Sequence, residues 1–158
     1  MDAFDDIRDL LRRDHELALV DLDALRAESD DSGCRARLEK LRRAWVIHAL
    51  AEETVVYRAL EGAPSSDSSA RADERFVEHD LIDGLFEKLA RGRRSSSEWS
   101  ARLAVARDLV KRHIETEHEE TFGRLAQRFA SDELCEMGRQ FLLARDKLTL
   151  LEEAKKAA

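Results

Sequence analysis

One short word occurs twice in this chain, 65 residues apart. His48-Ala49-Leu50-Ala51-Glu52, followed by Tyr57 and Leu60, reads H-x3-E-x4-Y-x2-L. His113-Ile114-Glu115-Thr116-Glu117, followed by Phe122 and Leu125, reads H-x3-E-x4-F-x2-L. A lone histidine precedes each word: His15 stands 33 residues before His48, and His79 stands 34 before His113. A spacing of four puts histidine and glutamate on one face of a helix, about a turn apart. The word therefore calls for helices, and its repetition for two like halves. Brought face to face, two histidines and one carboxylate from each half would make a two-metal site.

The apolar residues support helices throughout. Phe4, Ile7, Leu11, Ala18, Leu22 and Leu25 recur at threes and fours, as do Leu38, Leu41, Trp45, Val55 or Val56, and Ala59. Phe76, Ile82, Phe86 and Leu89 form a third stripe, and Leu103, Ala106, Val110, Thr121 and Leu125 a fourth. Each is the core-facing stripe of an amphipathic helix. The breaks fall at Ser29–Gly33, at Gly62–Ser69 around the single proline, at Arg91–Ser97 and, more weakly, at Ala130–Asp132. Ser95 with Glu98 fits a capping box. The spacing predicts five helices, at about 2–28, 35–61, 70–91, 98–129 and 132–156. Short connections favour antiparallel neighbours, hence an all-α, up-down-up-down four-helix bundle over residues 1–130. Residues 131–158, with Leu134, Met137, Phe141, Leu148 and Leu151, make a C-terminal helical extension packed on the bundle or offered to a partner.

Composition removes several function classes. A net charge of −7 argues against a general affinity for nucleic acid. The basic clusters Arg42-Arg43 and Arg91–Arg94 read as charged helix face or turn. No apolar run reaches the 18 or so residues that cross a bilayer, and the acidic N-terminus lacks a signal-peptide core, so a cytoplasmic location is expected. Cys34 and Cys135 are too few and too far apart for a disulfide framework or a thiolate zinc site, so two free thiols are expected.

The stripes carry polar interruptions at matching places. His15 takes the core slot between Leu11 and Ala18, His48 and Glu52 those between Trp45 and Val55, His79 the one between Phe76 and Ile82, and His113 and Glu117 follow Val110. Any one such histidine is ordinarily a satisfied core residue. Two carboxylates in an apolar interior are costly unless paired or bound to metal. Four histidines at matched spacings with two glutamates at one offset point to a metal. The ferritin-like E-x-x-H order is absent. His118-Glu119-Glu120-Thr121-Phe122 fails the last position of H-E-x-x-H, and neither a glycine-rich phosphate loop nor G-x-S-x-G occurs.

Asp14-His15-Glu16, His48-x3-Glu52 with Glu53 and Tyr57, Glu78-His79-Asp80, and His113-x3-Glu117 with Phe122 together resemble a hemerythrin-like (HHE cation-binding) domain of the small stand-alone bacterial type, over roughly residues 3–128. The resemblance implies two iron ions held inside the bundle. Glu52 and Glu117 would bridge them, together with an oxo or hydroxo group, and His15, His48, His79 and His113 would be terminal ligands. Imidazole and carboxylate equally suit manganese or zinc. The chain departs from the oxygen-carrying members, which place two histidines at H-x3-H on their third helix; here Asp83 stands four residues after His79. Where those members have a carboxylate five residues after the fourth-helix histidine, this chain has His118. His118 and Asp83 are therefore further candidates, either as ligands or as partners of ligands. Fewer protein ligands leave more open positions, which favours reactivity over reversible carriage.

The resemblance thus implies a non-haem di-iron protein that binds and reacts with O2 or hydrogen peroxide, with catalase-like or peroxidase-like turnover. The alternatives are an O2-, NO- or iron-sensing module, with the last helix as reporter, and an iron-binding bundle without turnover. Tyr57, roughly 13 Å past His48 along the axis, is expected to pack rather than to react.

Overall fold

The computed structural model describes residues 5–61 and 66–157. Among these the secondary structure is helical throughout. Helix α1 (Ile7–Ala27) opens where the Asp6 carboxylate accepts the Arg8 N–H at 2.9 Å. Asp5 and Asp6 thus precede the helix expected from residue 2, and residues 2–4, Phe4 included, lie outside the described residues. Helix α2 (Asp31–Glu52) starts inside the expected turn cluster: Asp30 caps it by accepting the Gly33 N–H at 2.6 Å, so Asp31–Gly33 are helical. It runs on through a π-helical turn (Glu53–Tyr57) into α3 (Arg58–Glu61).

Helix α4 (Ser66–Arg91) begins four residues before the expected position, so Ser66–Ser69 are not loop; residues 62–65 lie outside the described residues. Helix α5 (Ser97–Thr116) is capped by Ser96, which accepts the Trp99 N–H at 3.1 Å. The expected Ser95–Glu98 box is therefore one residue out of register. A second π-helical turn (Glu117–Thr121) joins α5 to α6 (Phe122–Arg128), and α7 (Ser131–Ala157) closes the chain.

Helices α1, α2, α4 and α5 pack in a ring, each against two neighbours, and α7 lies against α1 and α2. The core divides into two apolar clusters. One joins the C-terminal half of α1 (Leu22, Leu25) to the N-terminal half of α2 (Leu38, Leu41, Trp45), the end of α4 (Phe86, Leu89) and the start of α5 (Leu103, Ala106). The other joins the start of α1 (Ile7, Leu11) to Val56, Leu60, Leu125 and the first half of α7 (Leu134, Met137, Phe141). Ends pairing with starts is what antiparallel neighbours require.

Between the two clusters lies a polar layer: His15, His48, Glu52, His79, His113 and Glu117, all buried. Each fully buried Leu, Ile or Phe contributes about 1.5–3 kcal/mol. A buried charge left alone costs several kcal/mol. The apolar ends therefore hold the bundle together while its middle works against it.

The last helix carries a narrower stripe than expected. Leu134, Met137 and Phe141 are buried, Leu148 is half-buried, and Leu151 is exposed. Both cysteines are free thiols. No helix among the described residues is long and apolar enough to cross a membrane.

Candidate metal centre

The four histidines enter the layer one from each helix of the ring. Their Nε2 atoms form two close pairs: His15 with His48 at 3.2 Å, and His79 with His113 at 3.4 Å. Each glutamate stands between the pairs. Glu117 Oε2 lies 3.1 Å from His15 Nε2 and 3.7 Å from His113 Nε2. Glu52 Oε2 lies 3.7 Å from His48 Nε2 and 3.4 Å from His79 Nε2. Donor atoms of His15, His113 and Glu117 all fall within 4.8 Å of one another, as do those of Glu52, His79 and His113. All six residues singled out by the repeated words and their preceding histidines are thus brought together.

The Nδ1 side of every ring is held from outside. His48 Nδ1 lies 3.1 Å from Asp14 Oδ2, His79 Nδ1 2.8 Å from Glu53 Oε1, and His113 Nδ1 3.2 Å from Glu78 Oε2. A carboxylate accepts, so each Nδ1–H donates, and in a neutral ring that leaves the Nε2 lone pair facing inward. His15 Nδ1 meets His118 Nε2 at 3.2 Å instead. That contact puts His118 behind His15, on the side away from Glu117. Asp83 is not drawn in: its carboxylate pairs with Arg42 at 3.3 Å. The outer carboxylates are anchored in turn. Arg145 of α7 reaches Asp14 at 3.0 Å, and Arg75 and Arg112 reach Glu78 at 2.7 and 3.0 Å.

The π-helical turns follow directly on Glu52 and include Glu117. Each widens its helix by one residue per turn, a local irregularity that clusters at functional sites. In the first, Glu53 reaches His79 although it neighbours Glu52 in sequence. Tyr57, at the end of that turn, stacks on His79 with centroids 5.9 Å apart and packs edge-on against Phe76. It packs, as expected, but against a histidine of the layer, and its buried hydroxyl lacks a partner.

The electrostatics show what the layer lacks. Both oxygens of Glu52 and of Glu117 are buried with no hydrogen-bond partner, and both residues are 0% exposed. Burial, then the facing Glu117 carboxylate, pushes Glu52 well above the ordinary carboxylate range. Burial pushes His48 down to about 4, against the pull of Asp14. Although burial opposes it, Glu52 and Glu53 hold His79 up to about 9. Hydrogen bonding from His113, aided by Arg112 and Arg75, holds Glu78 down to about 2, so that carboxylate stays ionised behind its histidine. Four inward Nε2 atoms and four unpartnered carboxylate oxygens form a donor set for cations of the iron, manganese or zinc kind, with no thiolate among them.

The words at His48 and His113 led to six residues of the layer. The outer acids Asp14, Glu53 and Glu78 stood in the quoted motifs without a role. Their signal was adjacency: each is the immediate neighbour of a layer residue, yet serves the histidine of a different helix.

A family model described as the hemerythrin HHE cation binding domain matches residues 6–125. No curated protein and no solved structure matches the chain.

Proposed function

Because the chain belongs to the hemerythrin HHE cation-binding domain family, we propose that its buried layer is a two-iron centre that binds and reacts with O2 or hydrogen peroxide. The observation that carries this reading is the arrangement of the unpartnered glutamates. Each places one oxygen between a histidine of the His15–His48 pair and one of the His79–His113 pair. Two cations, one at each histidine pair, would share both carboxylates and cancel their buried charge. His15, His48, His79 and His113 would hold the cations together with Glu52 and Glu117, and His118 would orient His15. Iron bound there would supply redox chemistry toward O2 or hydrogen peroxide.

The chain's own residues do the rest. Asp14, Glu53 and Glu78 orient the rings of His48, His79 and His113, which turns those three Nε2 atoms inward and raises their basicity. Trp45 closes the floor, with its ring centroid 5.6–5.8 Å from those of His48, His79 and His113. Tyr57 and Phe122 belong to the apolar cluster on the far side. Bulk water is thereby kept from the carboxylates.

The test is metal content and optical spectrum of protein from iron-supplemented cells, before and after hydrogen peroxide. About two irons per chain, with near-ultraviolet bands that change on peroxide addition, is the expected result. A stoichiometric zinc content, or none after reconstitution, would overturn it. Steady peroxide disproportionation above that of free iron separates turnover from binding.

A second reading has one observation in its favour. Helix α7 touches the His48 corner twice, through Arg145 on Asp14 and through Phe141, whose ring lies 6.0 Å from that of His48. A centre that shifts His48 on binding O2, NO or iron would loosen or tighten α7, as a sensor requires. Protease sensitivity of residues 131–157, compared between metal-free and loaded protein, decides this: identical patterns sink the sensor.

A further inference from the structure

The repeat extends to the groups that stand behind the histidines. Asp14 directly precedes His15 and backs His48, as Glu78 directly precedes His79 and backs His113. Glu53 directly follows Glu52 and backs His79, as His118 directly follows Glu117 and backs His15. Each of the four thus serves the histidine of a neighbouring helix from the same place in its own half. Glu53 and His118 both lie in π-helical turns, 65 residues apart, the offset of the repeated word itself.

The match holds in position and fails in chemistry once. Asp14 and Glu78 are both carboxylates, and both are tied to arginine. Glu53 is a carboxylate 2.8 Å from its histidine, whereas His118 is an imidazole 3.2 Å from its own. The inward side does not share this difference, since each histidine pair faces both Glu52 and Glu117. A ring that gives its Nε2 lone pair to a cation takes on positive charge. A carboxylate behind it offsets that charge, which is why such partners raise the basicity of a ligating histidine. An imidazole is neutral or positive at any ordinary pH and offers no such offset.

Resting on the two-cation reading above, we propose that His118 makes the two ion positions unequal. The ion at the His15–His48 pair is held more weakly than the ion at the His79–His113 pair; it enters second and leaves first. His118 acts through His15 and is a positioning residue, with Glu53 as its stronger counterpart in the other half.

The test is titration of the full metal-free chain with zinc, in competition with a chelator. Two ions per chain are expected, with dissociation constants at least about tenfold apart. His118→Glu, which copies Glu53, should tighten the second step at least about tenfold, leave the first unchanged and so bring the two together. His118→Gln, which can accept a hydrogen bond but brings no charge, should leave the gap. Glu53→His should loosen the first step toward the second. His118 and Glu53 are only half-buried, so the metal-free variants should keep the native helical signal. Two ions of equal strength in the native chain would overturn the proposal and leave the two-cation reading standing. So would an unaltered gap in His118→Glu, or equal tightening by His118→Gln. At most one ion per chain in every variant would overturn that reading itself, and the proposal with it.

Discussion

Glu117 is the residue on which the metal reading turns. Its two oxygens are buried without hydrogen-bond partners, with the Nε2 atoms of His15 and His113 at 3.1 and 3.7 Å from Oε2. Removing a carboxylate that only a cation satisfies has opposite effects on the two states. Glu117→Gln should leave the chelator-treated protein as stable as before, or more so, since a buried charge is gone. The rise in melting temperature on adding metal should vanish. Thermal scans of both proteins with and without metal check this; an undiminished rise would remove Glu117 from the ligand set. Asp14→Asn and Glu78→Gln ask a subtler question, since neither touches the inward face. Loss of such an outer partner typically weakens metal binding about 10–100-fold. Titration with zinc in competition with a chelator should show that loss with helicity intact. The sequence named the six inward residues because helical spacing alone puts them on the core stripes. It left His118 undecided, since position five after His113 leaves the stripe in a regular helix; the turn that begins at Glu117 brings it behind His15. Asp83 shares its helix face with His79, but Arg42 of the neighbouring helix claims it, a contact that periodicity within one helix does not reveal.

At the scale of helices, the two π-helical turns and α7 are the parts that sequence patterns hid. A π turn has no periodic signature; it shows only as the break that lets both Val55 and Val56 be buried, where the stripe offered one or the other. Docking of α7 depends on close backbone approach, which a hydrophobic stripe does not encode. A Cβ on Gly138 would lie 2.2 Å from the Asp5 carbonyl oxygen and 3.3 Å from the Ile7 nitrogen. Both neighbours are backbone and cannot turn aside. Gly138→Ala should therefore push α7 off the start of α1, at a cost of about 1–3 kcal/mol. Hydrogen exchange should rise in residues 131–145 and at the start of α1, and little in α4 or α5. Uniform exchange across all helices would show that α7 is no separate unit. Arg145→Ala leaves the backbone approach at Gly138 alone and cuts the tie to Asp14 and the stacking of the guanidinium over Phe141. It should weaken metal binding less than Asp14→Asn does, because Asp14 still holds His48. Arg145→Lys should restore part of the loss, since a single nitrogen, Nη1, meets both Asp14 oxygens and an ammonium supplies the same charge without the rigid plane.

The whole molecule is two apolar cores separated by an acidic and imidazole layer, and that division sets how it responds to metal. The clusters at Leu22–Phe86 and at Ile7–Phe141 are built of hydrophobic residues throughout and contain none of the six residues of the layer. Chelation should therefore leave a folded helical bundle rather than a random chain, in contrast to small domains that fold only around zinc. The bundle, and the place of the polar layer within it, were legible in the sequence because both are periodic: stripes at threes and fours, and one word repeated at matched depth. A cation held a thousandfold above its dissociation constant adds about 4 kcal/mol to the folded state. In a domain of this size each kcal/mol moves the melting temperature by roughly 2–4 °C. Removing both cations should thus lower the melting temperature by on the order of 20 °C, with the far-ultraviolet helical signal at ambient temperature almost unchanged. Circular dichroism before and after chelation measures both at once. Loss of the helical signal would mean that the apolar ends do not hold the bundle without the centre. An unchanged melting temperature would mean that the buried glutamates are satisfied by something other than a cation.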